Sequence, residues 1–171
     1  MSKDNWIIKA FLMTFFIAII FSSLSNVVIN RCNNVIVIVI ITIFFILFGV
    51  LFDIIGTAVL TANESTFHAK SAKKIKGSKE GVKLIKNSPR IASICNDVIG
   101  DICGLVSGSC GAILSIYISS KFNTNLVFTT LITSSVISSL TVGGKAIGKK
   151  YATKNSDDIV FIVAKIINKI K

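Results

Sequence analysis

The chain has one proline, one histidine, one tryptophan and eight acidic residues against nineteen basic ones. The single histidine, His68, has no second ligand at metal-binding spacing. That excludes a histidine-built metal centre and leaves His68 as an interfacial polar residue. The four cysteines, Cys32, Cys95, Cys103 and Cys110, form no Cys-x-x-Cys pair, and three of them fall in one apolar stretch. They read as small packing residues, not as a disulfide framework or a zinc site. No nucleophile–base pair and no glycine-rich phosphate loop is present, so no enzymatic activity is expected and no cofactor is implied. The sole proline, Pro89, lies near the start of an expected helix, where proline is tolerated.

What the chain has instead is apolar length. It is 52% hydrophobic over 171 residues, with a mean hydropathy of +0.76. Long uncharged runs in such a composition indicate an integral membrane protein. The net charge of +11 would suggest nucleic acid on a soluble protein. Here the basic residues sit in loops and at the ends, with no aromatic stacking platform beside them. They fit the positive-inside bias and attraction to anionic lipid headgroups, and no nucleic acid partner is expected.

Four apolar segments follow one another. The first, Trp6 to Asn30, is followed by no Ala-x-Ala-like cleavage site and reads as a retained helix with Trp6 at the interface. A short turn, Asn30 to Asn34, leads to the second, Val35 to Leu60. Its Ile and Val content does not forbid a helix in lipid, where the backbone must satisfy itself. The third runs from Ile91 to Ser119 and the fourth from Asn125 to Ile147. Between the second and third lie amphipathic pieces, Ser65 to Ile75 and Ser78 to Ile85. There Phe67, Val82, Leu84 and Ile85 are available to lipid or protein, and the lysines to headgroups. A tail over 157–171 opens on Asp157 and Asp158 and ends in basic residues, as a helix dipole prefers. The expected fold is all-α: an integral membrane bundle of four transmembrane helices with short amphipathic juxtamembrane helices at 65–86. Residues 1–34 form an N-terminal helix and turn, and 35–171 the main transmembrane domain. The long loop and the C-terminus carry most of the basic residues, which places both termini in the cytoplasm of a multi-pass plasma-membrane protein.

The polar residues inside these segments are the candidates for function. Asp97 and Asp101 are four apart and share a helix face, with Asn96 beside them. A carboxylate in hydrocarbon costs roughly 3 kcal/mol or more, and a cation is the simplest balance. Asp53, Ser138, Ser139, Thr141 and Lys145 are expected in the same, cytoplasmic half of the membrane. The candidate metal ligands are therefore Asp53, Asn96, Asp97, Asp101, Ser138 and Thr141. Plainer readings stand beside this one. Asp53 also reads as a headgroup-level residue, and the hydroxyls as bonding their own helix or knitting helices together. Gly100, Gly104, Gly108 and Gly111 read as helix-packing positions.

Three short stretches in this order resemble the transmembrane domain of the CorB/CorC-type magnesium transporters, the family that includes the animal cyclin-M-like proteins. The first is Phe52-Asp53-Ile54-Ile55-Gly56-Thr57-Ala58-Val59. The second is Asn87-Ser88-Pro89 followed by Cys95-Asn96-Asp97-Val98. The third is Gly143-Gly144-Lys145-Ala146-Ile147-Gly148-Lys149-Lys150-Tyr151-Ala152. The resemblance covers about Val35 to Lys171 and leaves the first segment as an addition. It implies transport of a divalent cation, magnesium or cobalt, as substrate, and a homodimer. Asn96 matches a polar ligand of the family. Gly56 and Lys145 stand where the family has glutamates near its ion site, and the family's cytoplasmic regulatory domains have no counterpart in these 171 residues. The alternative is a non-transporting membrane scaffold in which Lys145 neutralises one of the aspartates.

Overall fold

The computed structural model describes the backbone of residues 3–31 and 34–170, and the side chains of residues 8–23, 27 and 34–170. The expectations for Trp6 at the interface, for Cys32 and for the turn around Arg31 lie outside the described side chains. The described residues are all-helical, without strands. The helices are α1 (Lys3–Arg31), α2 (Val35–Thr61), α3 (Glu64–Ala72), α4 (Ser78–Lys86) and α5 (Ser88–Ala92). A π-helical segment (Ser93–Ile99) then leads into α6 (Gly100–Phe122), α7 (Leu126–Lys154) and α8 (Ser156–Ile170).

Three stretches are long and apolar enough to cross a membrane: Val35–Thr61, Ser88–Phe122 and Leu126–Lys154. In α1 the described residues include an apolar stretch, Ile8–Ser23. Two expected boundaries move. The third span begins at Ser88, because Pro89 sits in the first turn of α5, where its missing N–H costs nothing. The fourth continues past Ile147 and Gly148 to Lys154. Glycine lowers helix propensity without ending a helix whose neighbours support it.

The chain divides into two compact units, 1–50 with 98–144, and 51–97 with 145–171. The core of the first joins Ile38 and Phe45 of α2 to Val98, Ile102, Cys103, Val106 and Cys110. Phe21 of α1 meets Phe45 edge-on at 5.7 Å. Cys103 and Cys110 are buried packing residues here. Of the expected packing glycines, Gly111 lies against Ile137 of α7, whereas Gly104 and Gly108 have open space above them. The hydroxyls of α7 largely bond their own helix: Thr133 donates to Thr129 O, Ser139 to Val136 O and Thr141 to Ile137 O. Ser115 and Thr130 link α6 to α7 at 3.0 Å.

The second unit is built on Phe67, which is fully buried with Ala58, Val59, Ala152 and Val160. Phe67 therefore faces protein, and α3 is a packed element of this unit. Asn63 caps α3 by accepting from the Ser65 N–H. Asp157, in the first turn of α8, accepts the Asn63 N–H at 2.8 Å. Lys70 and Lys165 stand over the Phe161 ring at 4.5 and 4.4 Å, cation–π contacts that keep their ammonium groups at the surface. His68 meets Glu64 of its own helix at 3.1 Å.

Candidate cation site

Asp53 lies on the α2 portion of the second unit and is 2% exposed. Apolar residues surround it in sequence on a helix that is otherwise uncharged. Lys149, from α7, brings its Nζ to 3.8 Å from Asp53 Oδ1. That is charge proximity and not a hydrogen bond. The Lys149 side chain is 54% exposed against 3% for Asp53.

One turn along α2, Gly56 faces Asn96. A Cβ at Gly56 would lie 2.8 Å from Asn96 Cγ and 3.0 Å from Cys95 Cβ, so only glycine leaves room for the amide. Asn96 Oδ1 is buried there without a hydrogen-bond partner. A buried acceptor with no donor forfeits about 1–3 kcal/mol. Asn96 belongs to the π-helical segment Ser93–Ile99. Such segments are rare and recur at functional sites because their wider turn re-aims a side chain. Residues three apart on a helix lie about 5–6 Å apart at Cβ. Asp53 and Gly56, the residue that Asn96 packs against, are thus one turn apart on α2. Asp53 and Asn96 both present oxygen acceptors, which is the donor set of a hard cation.

The other expected ligands are placed differently. Asp97 is in the same unit and exposed. Asp101, Ser138 and Thr141 belong to the first unit, where Asp101 and Ser138 are exposed and the Thr141 hydroxyl donates to its own helix. Among the described residues no group of three or more His, Cys, Asp or Glu is placed to hold a metal ion. Of the six candidates, Asp53 is buried on α2 and Asn96 packs against Gly56, one turn further along the same helix.

Lys149 was not among the candidates. Its signal was the spacing to Lys145, one turn back on the same face of α7. Helix α7 was expected to end at Ile147, which would have left Lys149 outside the helix.

No protein family, no curated protein and no solved structure matches the chain.

Proposed function

We propose that the protein is a multi-pass transporter of a divalent cation, magnesium or cobalt, of CorB/CorC type, which receives the ion at Asp53 and Asn96. The observation that carries this reading is the buried, donorless Asn96 Oδ1 against Gly56, one turn along α2 from the buried Asp53. Magnesium is bound through one or two carboxylates while it keeps several waters, so a single carboxylate with one neutral oxygen suits a partly hydrated ion. In this reading α1 is a fourth span, and the termini and the basic helices α3, α4 and α8 face the cytoplasm of the plasma membrane. Two copies associate, and a second copy over the exposed Asp97 removes that carboxylate from lipid.

The test is magnesium- or cobalt-dependent stabilisation of the purified protein in detergent, followed by ion flux into proteoliposomes. A ligand that binds only the folded state raises its unfolding midpoint. Asp53→Asn and Asn96→Ala should each remove most of the shift and most of the flux. A wild-type protein that is well folded and shows neither effect would reject the transporter.

The Lys149–Asp53 pair favours a second reading, a non-transporting scaffold whose internal aspartate is neutralised by lysine. The lysine expected in that role is Lys145; Lys149 is a further lysine that stands 3.8 Å from the Asp53 carboxylate. In a scaffold, no divalent ion shifts stability, and loss of Lys149 is not compensated by added cation.

A further inference from the structure

The second unit carries a cavity of about 340 Å³ between α4, α5 and α8. Leu84, Ile91 and Ile167 form its apolar floor. Lys83, Arg90 and Glu80 stand around its rim, and Lys83 and Arg90 are exposed. The apolar surface continues along α8, where Ile166 and Ile170 are 54% and 82% exposed.

Three observations define what fits. The first is depth. Arg90 and Ile91 lie in the first turn of the candidate span Ser88–Phe122, and in the membrane reading this end of the helix meets the headgroups. The second is charge. Fifteen of the nineteen basic residues and six of the eight acidic ones fall in this unit, which gives it nine of the eleven net positive charges. The third is the split character of the cavity itself. A soluble anion would use the cationic rim and leave the floor wet. A neutral lipid would cover the floor and make no use of the positive charge. A molecule with a hydrocarbon chain and an anionic group complements both the apolar lining and the charge of the unit.

We propose that this cavity binds an anionic glycerophospholipid drawn from the surrounding bilayer. Its phosphate meets Lys83 and Arg90, the guanidinium offering a paired donor geometry. One acyl chain covers Leu84, Ile91 and Ile167 and runs on toward Ile170. Glu80 repels a second negative charge, so a singly charged headgroup such as phosphatidylglycerol is preferred to a phosphomonoester lipid. The site is independent of the cation reading. It ties α4, α5 and α8 to the composition of the membrane.

The experiment follows thermal unfolding of the full chain in neutral detergent with phosphatidylglycerol, phosphatidylcholine or water-soluble glycerol phosphate. Phosphatidylglycerol should raise the midpoint at least three times as far as either of the others. Lys83→Gln with Arg90→Gln should lose at least half of that shift, and Lys83→Arg with Arg90→Lys should keep it. Ile167→Asn should lose it as well, through the floor. Lys73→Gln with Lys121→Gln, which removes two charges elsewhere, should leave it intact. Equal shifts with the two lipids, an unchanged shift in Lys83→Gln with Arg90→Gln, or an equal loss in the distant pair would each overturn the proposal. A glycerol phosphate shift as large as that of phosphatidylglycerol would make this a site for soluble phosphate and overturn the lipid assignment.

Discussion

Lys149 reaches from α7 to within 3.8 Å of Asp53 on α2, a half-exposed ammonium beside a buried carboxylate. The two side chains have unequal freedom. Asp53 is held inside the unit, whereas Lys149 is a long, largely exposed side chain that can swing outward at small cost. In the transporter reading, a cation arriving at Asp53 meets this ammonium as a tethered competitor.

Replacing Lys149 by Gln is therefore expected to have two opposite effects. Stability in cation-free buffer should fall by roughly 1–2 kcal/mol, less than for a fully buried pair because half of the lysine is in solvent. The magnesium concentration for half-maximal stabilisation should fall severalfold, because the competitor is gone. Titration of the unfolding midpoint with magnesium measures both. An unaltered half-maximal concentration would show that the ammonium and the ion do not compete.

The carboxylates should separate by burial. Asp53→Asn is expected to abolish the magnesium-dependent shift, whereas Asp97→Asn, at an exposed position, should retain more than half of it. The same titration decides this. If Asp97→Asn abolishes the shift and Asp53→Asn spares it, the ion belongs at Asp97 and the Asp53–Asn96 assignment is wrong.

At Gly56 an added methyl group would meet Asn96 Cγ at 2.8 Å and Cys95 Cβ at 3.0 Å. Gly56→Ala should cost about 1–3 kcal/mol, as overpacking does. Combination with Asn96→Ala should recover part of the loss, because the amide is the nearer obstacle; the coupling of touching residues is typically about 0.5–3 kcal/mol. Chemical denaturation of the two single variants and the double variant forms the cycle. Strict additivity would mean that the amide does not rest on Gly56.

Gly81 tests the second unit's core in the same way. A Cβ there would come within 2.6 Å of Phe67 Cε1, and the Phe67 ring is fully buried and cannot retreat. Gly81→Ala should destabilise α3 against α4 by about 1–3 kcal/mol and expose the connection at 73–77 to protease. Phe67→Leu in the same chain should restore part of the resistance. Wild-type resistance in Gly81→Ala would contradict this packing.

The sequence by itself determined that the described chain is helical and apolar enough for the membrane; it offered four spans, of which three are long and apolar enough among the described residues. Apolar runs of twenty or more residues leave the backbone no other way to satisfy its hydrogen bonds in lipid. The short basic helices were legible for a related reason: Asn63, Gly77, Asn87 and the Asp157–Asp158 pair punctuate them with local chemistry. What spacing could not decide was which polar groups meet. Asp97 and Asp101 looked strongest because they are four apart, yet each is exposed. Asp53 read equally well as a headgroup residue and as a ligand, and it is buried beside a lysine 96 positions later in the chain. Asn96 gained its place from a π-helical turn and from the absence of a side chain at Gly56. Helical period is a property of neighbouring residues, so the sequence displays it. Burial and partnership depend on which helix packs against which, and only the tertiary structure decides that.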